Sequence, residues 1–179
     1  MRPHHFLPSL VLLALAANAP ACASRSSETD ADQATASTSS AVTGAIAEVT
    51  AFGSNPGGLK MFEYVPAGLA ANKPLVLVLH GCTETAAAAA QTGWSQLADE
   101  AGFAVVYPQQ EIAKNPYRCF NWAGEFGNHD DLARGKGENL SIKQMVDTAV
   151  AAHGSDPKRV FIVGFSAGGG TAAIMTSSR

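Results

Sequence analysis

The sequence has little charge, few aromatic residues and no excess of basic residues. Charged residues make up 15% of its 179 residues, and aromatic residues make up 7%. Twelve Lys and Arg stand against fifteen Asp and Glu, so the net charge at pH 7 is −3. Because nucleic acids are bound through clusters of Lys and Arg, this balance excludes nucleic acid as a partner. The length fits one domain and excludes a large enzyme with separate cofactor and substrate domains.

The N-terminal apolar run is too short to cross a bilayer comfortably. It extends from Phe6 to Ala17, follows the positive charge of Arg2 and precedes a cluster of small residues. This order predicts an export signal over 1–23, and therefore a secreted or periplasmic protein. Cys22 follows small residues, as in the lipid-modified signals of bacterial lipoproteins. Two outcomes stay open: a cleavage that discards Cys22, or a membrane anchor through a lipid on its thiol.

Residues 24–41 contain no apolar residue other than alanine. Such a segment cannot bury enough surface to offset the entropy of ordering, so it is predicted to be a flexible tether. We therefore assign the folded domain to 42–179.

Strand and helix patterns alternate along this domain. Strands are predicted over 58–66, 74–80, 103–107 and 160–163, and helices over 86–101, 140–153 and 167–177. The first strand alternates apolar and polar residues, which indicates an outer antiparallel strand, and Pro108 is predicted to end the third. The other three strands are continuously apolar, as strands buried on both faces are. The pattern predicts an α/β fold with a mostly parallel sheet covered by helices.

A G-x-S-x-G sequence lies between the last strand and the last helix, and its central residue is Ser166. A nucleophile on a tight strand-to-helix turn is exposed at the edge of the sheet, and Gly164 and Gly168 keep Cβ atoms out of the turn. The Ala167 amide would lie at a helix N-terminus and face a developing oxyanion. Ser166 is therefore predicted to be a catalytic nucleophile. A glycine-rich turn that serves only packing is the alternative.

A second loop, His80-Gly81-Cys82-Thr83, ends the 74–80 strand. In hydrolases with such a turn, the second oxyanion donor is a backbone amide from the loop after this strand. Gly81 permits a close approach, and the donor would be the amide of Cys82 or Thr83. His80 is predicted to support this loop and not to act as the base.

Cys82 and Cys119 are the two cysteines outside the export signal. In an exported protein, two remaining thiols favour a disulfide, and two buried reduced thiols are the alternative. The chain-entropy model gives about 4 kcal/mol for closing a loop of this span. The bridge would hold the aromatic segment 117–122 over the His80 loop.

Seven blocks of sequence carry a resemblance to a known family. They are PLVLVLHGC (74–82), TGWSQLADEAGFAVVYPQQ (92–110), RCFNW (118–122), RGKGE (134–138), SIKQMV (141–146), DPKRVF (156–161) and GFSAGG (164–169). In order and spacing they resemble esterases of the polyhydroxybutyrate depolymerase type, which are related to feruloyl and acetylxylan esterases of carbohydrate esterase family 1.

The resemblance implies an α/β-hydrolase fold, Ser166 as nucleophile and a Cys82–Cys119 disulfide. It also implies an exported esterase that needs no metal or organic cofactor. The substrate would be an ester, which could be polymeric (a polyhydroxyalkanoate, or feruloylated or acetylated xylan) or small and soluble. Trp122 and Asn121 are candidates for lining the substrate cleft.

No Asp, Glu or His follows Ser166 in the sequence. A serine hydrolase needs a base and a carboxylate that orients it, and in α/β-hydrolases both follow the nucleophile. The upstream candidates are His80, His129 and His153 with Asp130, Asp131 and Asp147, and none is predicted to form a triad. We therefore expect the N-terminal part of a larger hydrolase, truncated after the nucleophile turn and inactive by itself. The alternatives are a non-catalytic relic and a surface-anchored protein that binds polymer.

Overall fold

The computed structural model describes residues 45–124 and 132–177. The chain divides into two units, Met1–Thr38 and Ser39–Arg179, and all described residues belong to the second. The predicted export signal and tether, and the His129-Asp130-Asp131 sequence, lie outside the described residues. Within the described ranges, no helix combines the length and the apolar character that crossing a membrane requires.

The described residues form five strands and four helices. In chain order they are β1 (Ala47–Val49), β2 (Lys60–Tyr64), β3 (Leu75–Leu79), α1 (Ala86–Ala90), α2 (Trp94–Ala101), β4 (Ala104–Gln109), α3 (Gly137–His153), β5 (Val160–Gly164) and α4 (Ala167–Ser177). The strands lie in one sheet in the order β1-β2-β4-β3-β5. β4, β3 and β5 are parallel, and β2 and β1 extend the sheet as antiparallel strands. The α/β prediction is confirmed, with more antiparallel pairing than expected.

Apolar clusters cover both faces of the sheet, and β3 contributes to both. All five of its residues are buried, and alternate side chains of a strand point to opposite faces. Leu75, Leu77 and Leu79 lie in one cluster with residues of α3. Val76 and Val78 lie in the other with residues of α1 and α2. Each fully buried leucine contributes about 2 kcal/mol to folding, so β3 is a rigid base for the loop that follows it.

The predicted helix over 86–101 is two helices. The Thr85 side chain caps α1 by accepting a hydrogen bond from the Ala88 amide. The chain leaves the helix after Ala90 and starts α2 at Trp94, because Gly93 has φ +95, a left-handed conformation that an α-helix cannot contain. The Ala-rich composition concealed this break.

The prediction that Pro108 ends a strand was wrong, because β4 continues to Gln109. Proline has no amide hydrogen to donate, which excludes it from a ladder paired on both sides. Here β3 pairs with β4 only as far as Val106, whereas β2 pairs with it across Pro108. Pro108 is therefore tolerated where β4 has a neighbour on one side. The short strand β1, beyond β2, was not predicted.

The prediction that 160–163 forms a strand buried on both faces was also wrong. β5 pairs with β3, and no other described strand pairs with its second side. Its residues are exposed or half-buried, and Phe161 is 54% exposed. The apolar sequence is therefore typical of an interior strand, although β5 occupies an edge among the described residues.

Candidate active site

The turn between β5 and α4 holds Ser166 in an exposed position with φ +52. This left-handed conformation is uncommon for a residue with a side chain. The two glycines of the turn are required by close contacts. A Cβ on Gly164 would lie 2.3 Å from the carbonyl carbon of Gly168. A Cβ on Gly168 would lie 2.5 Å from the carbonyl oxygens of both Leu79 and His80.

The Ala167 amide lies at the N-terminus of α4, one residue after Ser166. The neighbouring amides are engaged: Gly168 N–H donates to Phe165 O, and Gly170 N–H donates to Ser166 O. Within the described part of the chain, Ala167 N–H donates to no acceptor. A helix N-terminus carries partial positive charge, so this amide is suited to bind an oxyanion.

The loop after β3 lies directly against Ser166. A Cβ on Gly81 would be 2.9 Å from Phe165 Cδ1 and 3.4 Å from Ser166 Cβ. The loop reaches this position because β3 and β5 are adjacent parallel strands, whose carboxyl ends lie side by side. The sequence-based expectation that glycine permits this close approach agrees with the geometry.

Of the two amides predicted as the second oxyanion donor, one is already engaged. Thr83 N–H donates to Tyr117 O at 2.6 Å, and Thr83 has φ +65. No acceptor among residues 45–124 and 132–177 receives the Cys82 N–H. Cys82 is therefore the available donor of the two.

His80 is buried behind this loop, with 1% of its surface exposed. Its Nε2 lies 3.1 Å from the backbone nitrogen of Gln110, and its Nδ1 lies 2.6 Å from Gly81 O. An amide can only donate and a carbonyl can only accept, so Nε2 is unprotonated and Nδ1 carries the hydrogen. Burial lowers the pKa of His80, which keeps the ring neutral. Both nitrogens are engaged, so His80 is placed to orient the Gly81 carbonyl and not to deprotonate Ser166.

The predicted disulfide between Cys82 and Cys119 is present in the structure. It joins the loop after β3 to the long loop after β4. The Thr83–Tyr117 hydrogen bond joins the same two loops one residue away on the first loop. Together these two links fix the backbone on both sides of the Cys82 carbonyl.

A buried carboxylate, Glu138, holds the other side of the long loop. It is 5% exposed and lies in the first turn of α3. Its Oε1 accepts from Gln110 Nε2 at 2.5 Å, and its Oε2 accepts from the Asn121 amide at 2.8 Å. Gln110 Nε2 also donates to Cys119 O. Sequence reasoning missed both Gln110 and Glu138, although each of them ends one of the seven blocks.

The two predicted cleft residues lie in different environments. Asn121 is buried, and its backbone N–H donates to Glu138. Trp122 is 50% exposed and contacts α4, where a Cβ on Gly170 would lie 2.8 Å from Trp122 Cγ. Tyr117 and Phe165 are also exposed. Of the predicted pair, only Trp122 has an exposed side chain, and the role of both residues in a substrate cleft stays a prediction.

The remaining described members of the upstream triad set are paired elsewhere. His153 Nε2 lies 2.9 Å from Glu63 Oε2, and Asp147 pairs with Lys143 on the surface of α3. His153 ends α3, which leads to the start of β5, whereas Ser166 follows its end. The described residues also contain no group of three or more His, Cys, Asp or Glu side chains that could hold a metal ion.

Comparison with known proteins places these residues in a sequence family. The family model for the esterase PHB depolymerase matches residues 59–179. Poly(3-hydroxyalkanoate) depolymerase C of Paucimonas lemoignei is 50% identical over 134 residues, which cover 75% of this chain and 31% of that protein. Acetylxylan esterase A of Aspergillus oryzae is 36% identical over 136 residues, which cover 75% of this chain and 41% of the relative. The chain therefore covers less than half of the length of either curated relative.

The fold matches solved structures, among them the following two. The acetyl xylan esterase from Aspergillus awamori has a TM-score of 0.65 and 30% identity, and the match covers 74% of this chain and 46% of that one. LpqC, a poly(3-hydroxybutyrate) depolymerase from Bordetella parapertussis, has a TM-score of 0.55 and 22% identity over 76% of this chain and 47% of its own. These matches confirm the α/β-hydrolase fold.

Proposed function

This chain belongs to the esterase PHB depolymerase family, and on that premise we propose that the protein is a serine-dependent hydrolase of carboxylic esters. The observation that carries the proposal is the left-handed turn that exposes Ser166 beside the loop after β3. Two amides that donate to no acceptor among the described residues belong to this turn (Ala167) and to that loop (Cys82). An exposed serine with such donors on the adjacent backbone is the arrangement that acyl transfer requires.

In the proposed reaction the Ser166 hydroxyl oxygen attacks the ester carbonyl carbon and gives its proton to a base. The negative charge on the carbonyl oxygen is stabilised by the amides of Ala167 and Cys82. Collapse of this intermediate breaks the bond to the alcohol oxygen, which takes up the proton, and leaves the acyl group on Ser166. Water, deprotonated by the same base, then attacks the acyl carbon. The bond to the Ser166 oxygen breaks, this oxygen takes the proton back from the base, and the acid is released.

The base must come from outside the described residues. His80 has both nitrogens engaged, and His153 pairs with Glu63. We therefore propose that a histidine and its carboxylate are supplied by a part of the protein that the described residues do not include.

The substrate class is proposed from the relatives and from the surface beside the site. The relatives are named for poly(3-hydroxyalkanoate) and acetylxylan, which are both polymeric esters. The exposed aromatic residues Phe165, Tyr117 and Trp122 offer apolar surface to such a chain. The proposal includes the predicted export signal, which would carry the enzyme to a polymer outside the cell. The intact mass of protein recovered from the medium would reveal whether Cys22 is removed or carries a lipid.

The proposal is tested with the protein expressed from its complete gene, assayed on p-nitrophenyl butyrate, poly(3-hydroxybutyrate) and acetylxylan. Ser166→Ala should lower kcat by at least about a thousandfold, because it removes the attacking oxygen. Ser177→Ala, a serine-to-alanine change at the end of the helix that follows Ser166, is the matched control and should retain activity. Hydrolysis that persists at the wild-type rate in Ser166→Ala would falsify the proposal. A fluorophosphonate probe should label the wild-type protein on Ser166 and leave the variant unlabelled.

A further inference from the structure

Glu84 closes the loop after β3 by two hydrogen bonds to one glycine. Its Oε2 accepts from Gly81 N–H at 2.8 Å, and its own amide donates to Gly81 O at 3.3 Å. The hydrogen bond to Gly81 N–H holds the Glu84 side chain against the backbone. The conformation of the loop therefore fixes the position of the carboxylate.

This carboxylate lies near the proposed nucleophile. A Cβ on Gly81 would lie 3.3 Å from Glu84 Oε2 and 3.4 Å from Ser166 Cβ, so both atoms border the same point. Glu84 also lines a cavity of about 300 Å³ with Phe165 and His80. An ester carbonyl that reaches Ser166 must therefore come close to a negative charge.

No direct ion pair neutralises that charge within the described residues. Arg118 lies close enough to act on the His80 ring, where it lowers the pKa and Glu84 raises it. The two side chains nonetheless form no ion pair with each other, and the guanidinium Nε of Arg118 is buried. The charge of Glu84, close to Ser166, is therefore not offset by a direct ion pair among the described residues.

We propose that Glu84 is a specificity-determining residue that disfavours esters carrying a carboxylate next to the scissile bond. The proposal rests on the ester hydrolysis argued above. A substrate carboxylate that came to within about 7 Å of Glu84 in a partly solvated site would be repelled strongly enough to change a rate severalfold. Interior links of a polyester are uncharged, whereas the link beside a free acid end carries a carboxylate. Glu84 would therefore direct the reaction to uncharged esters and interior links.

The test compares two esters of equal acyl length, p-nitrophenyl butyrate and the p-nitrophenyl monoester of succinate, in the protein expressed from its complete gene. Glu84→Gln retains a side-chain oxygen that accepts from Gly81 N–H and removes the charge. The ratio of kcat/KM for the succinate ester to that for the butyrate ester should rise about fivefold. Because both esters meet the same loop, a purely structural effect of the substitution cancels in this ratio.

Glu48→Gln is the matched control, since Glu48 lies on β1 beside Lys60 and the substitution changes the net charge equally. Its ratio should equal that of the wild type. In the wild type alone, the ratio should rise as ionic strength increases from about 0.02 M to about 0.5 M, because salt screens the repulsion. This second measurement does not depend on the folding of any variant.

Three outcomes are distinguishable. A ratio that rises in Glu84→Gln, and with salt in the wild type, supports the proposal. A ratio that stays constant in both experiments, while butyrate is hydrolysed through Ser166, overturns the role of Glu84 and leaves the esterase function intact. Absence of Ser166-dependent hydrolysis of butyrate overturns the proposed function, and the role of Glu84 falls with it.

Discussion

At the scale of single residues, the candidate site depends on two glycines, which have no Cβ, as much as on the side chains that are present. Ser166 has φ +52, and the chain can turn there only because Gly164 and Gly168 leave room for the backbone. At His80 the side-chain atoms themselves are required, because both ring nitrogens take part in hydrogen bonds. Ser166 is exposed, whereas His80 is buried behind the loop of Gly81, Cys82 and Thr83.

Gly168→Ala should destabilise the protein through steric overlap alone. Its Cβ would lie 2.5 Å from two carbonyl oxygens of the β3 end, which are backbone atoms that cannot move aside cheaply. We expect a loss of about 3 kcal/mol in the free energy of unfolding, together with loss of fluorophosphonate labelling at Ser166. Gly68→Ala is a suitable control, because a Cβ there meets nothing within 4 Å and has only the cost of φ +69, about 1 kcal/mol. Equal losses in the two variants would contradict the steric argument.

The buried neutral His80 should make the protein less stable in mild acid. Burial lowers its pKa in the folded state below the value of 6.5 that it has when unfolded, so the unfolded state binds more protons. The contribution of neutral His80 to the free energy of unfolding is present above pH 6.5. It is lost as the pH falls below that value, by at most about 1.4 kcal/mol per pH unit. His80→Asn, which cannot titrate but can still donate to Gly81 O, should flatten this part of the curve. Urea unfolding midpoints of the wild type and of His80→Asn between pH 7.5 and pH 5 measure this effect. Parallel curves for the two proteins would refute the role of His80.

At the scale of elements, the segment that follows β4, described up to residue 124, is positioned by three links. They are the Cys82–Cys119 disulfide, the Thr83–Tyr117 hydrogen bond and the Glu138 carboxylate. The first two tie this loop to the end of β3, and the third ties it to the start of α3. The backbone around Cys82 is therefore set by contacts from two separate elements.

Glu138→Gln should weaken this arrangement even though the change is nearly isosteric. Both carboxylate oxygens accept from N–H donors, of Gln110 and Asn121, so a carboxamide must turn its own NH₂ toward one of them. We expect a loss of about 2 kcal/mol in the free energy of unfolding and a lower kcat with little change in KM. Glu100→Gln, on the exposed surface of α2, should have no effect. Wild-type stability and kcat in Glu138→Gln would rule out the positioning role.

Features that depend on local sequence were predictable, and those that depend on distant contacts were not. Gly102 and Gly154 end helices with φ +72 and +60, because a helix end needs a residue that tolerates that conformation. The extent of β4 beyond Pro108 could not be predicted, since it depends on which neighbouring strand is paired at that point. Glu84 and Glu138 were missed for a similar reason. Their acceptor roles depend on the loop conformation and on residues up to 28 positions away.

At the scale of the whole molecule, the two edges of the sheet differ in chemistry. The β1 edge is short, and an exposed pair of Glu48 and Lys60 lies beside it. The β5 edge presents Phe161, which is 54% exposed, and leads to Phe165, which is 70% exposed. Charged side chains discourage strand addition, whereas an apolar edge with free backbone groups promotes it. Association of the described domain should therefore occur at the β5 edge.

The polypeptide 24–179, which lacks the predicted export signal, should self-associate through β5 and hydrolyse no p-nitrophenyl ester above a Ser166→Ala background. Association follows from the apolar edge, and inactivity follows because the described residues supply no free base for Ser166. Phe161→Lys places a charge on the edge and should shift the population toward monomer in sedimentation velocity experiments. Ile112→Lys makes the same change at a side chain that is 56% exposed outside the sheet, and should leave association unchanged. Equal effects of the two lysines would mean that net charge, and not the edge, controls association, and Ser166-dependent turnover would mean that the base lies within these residues.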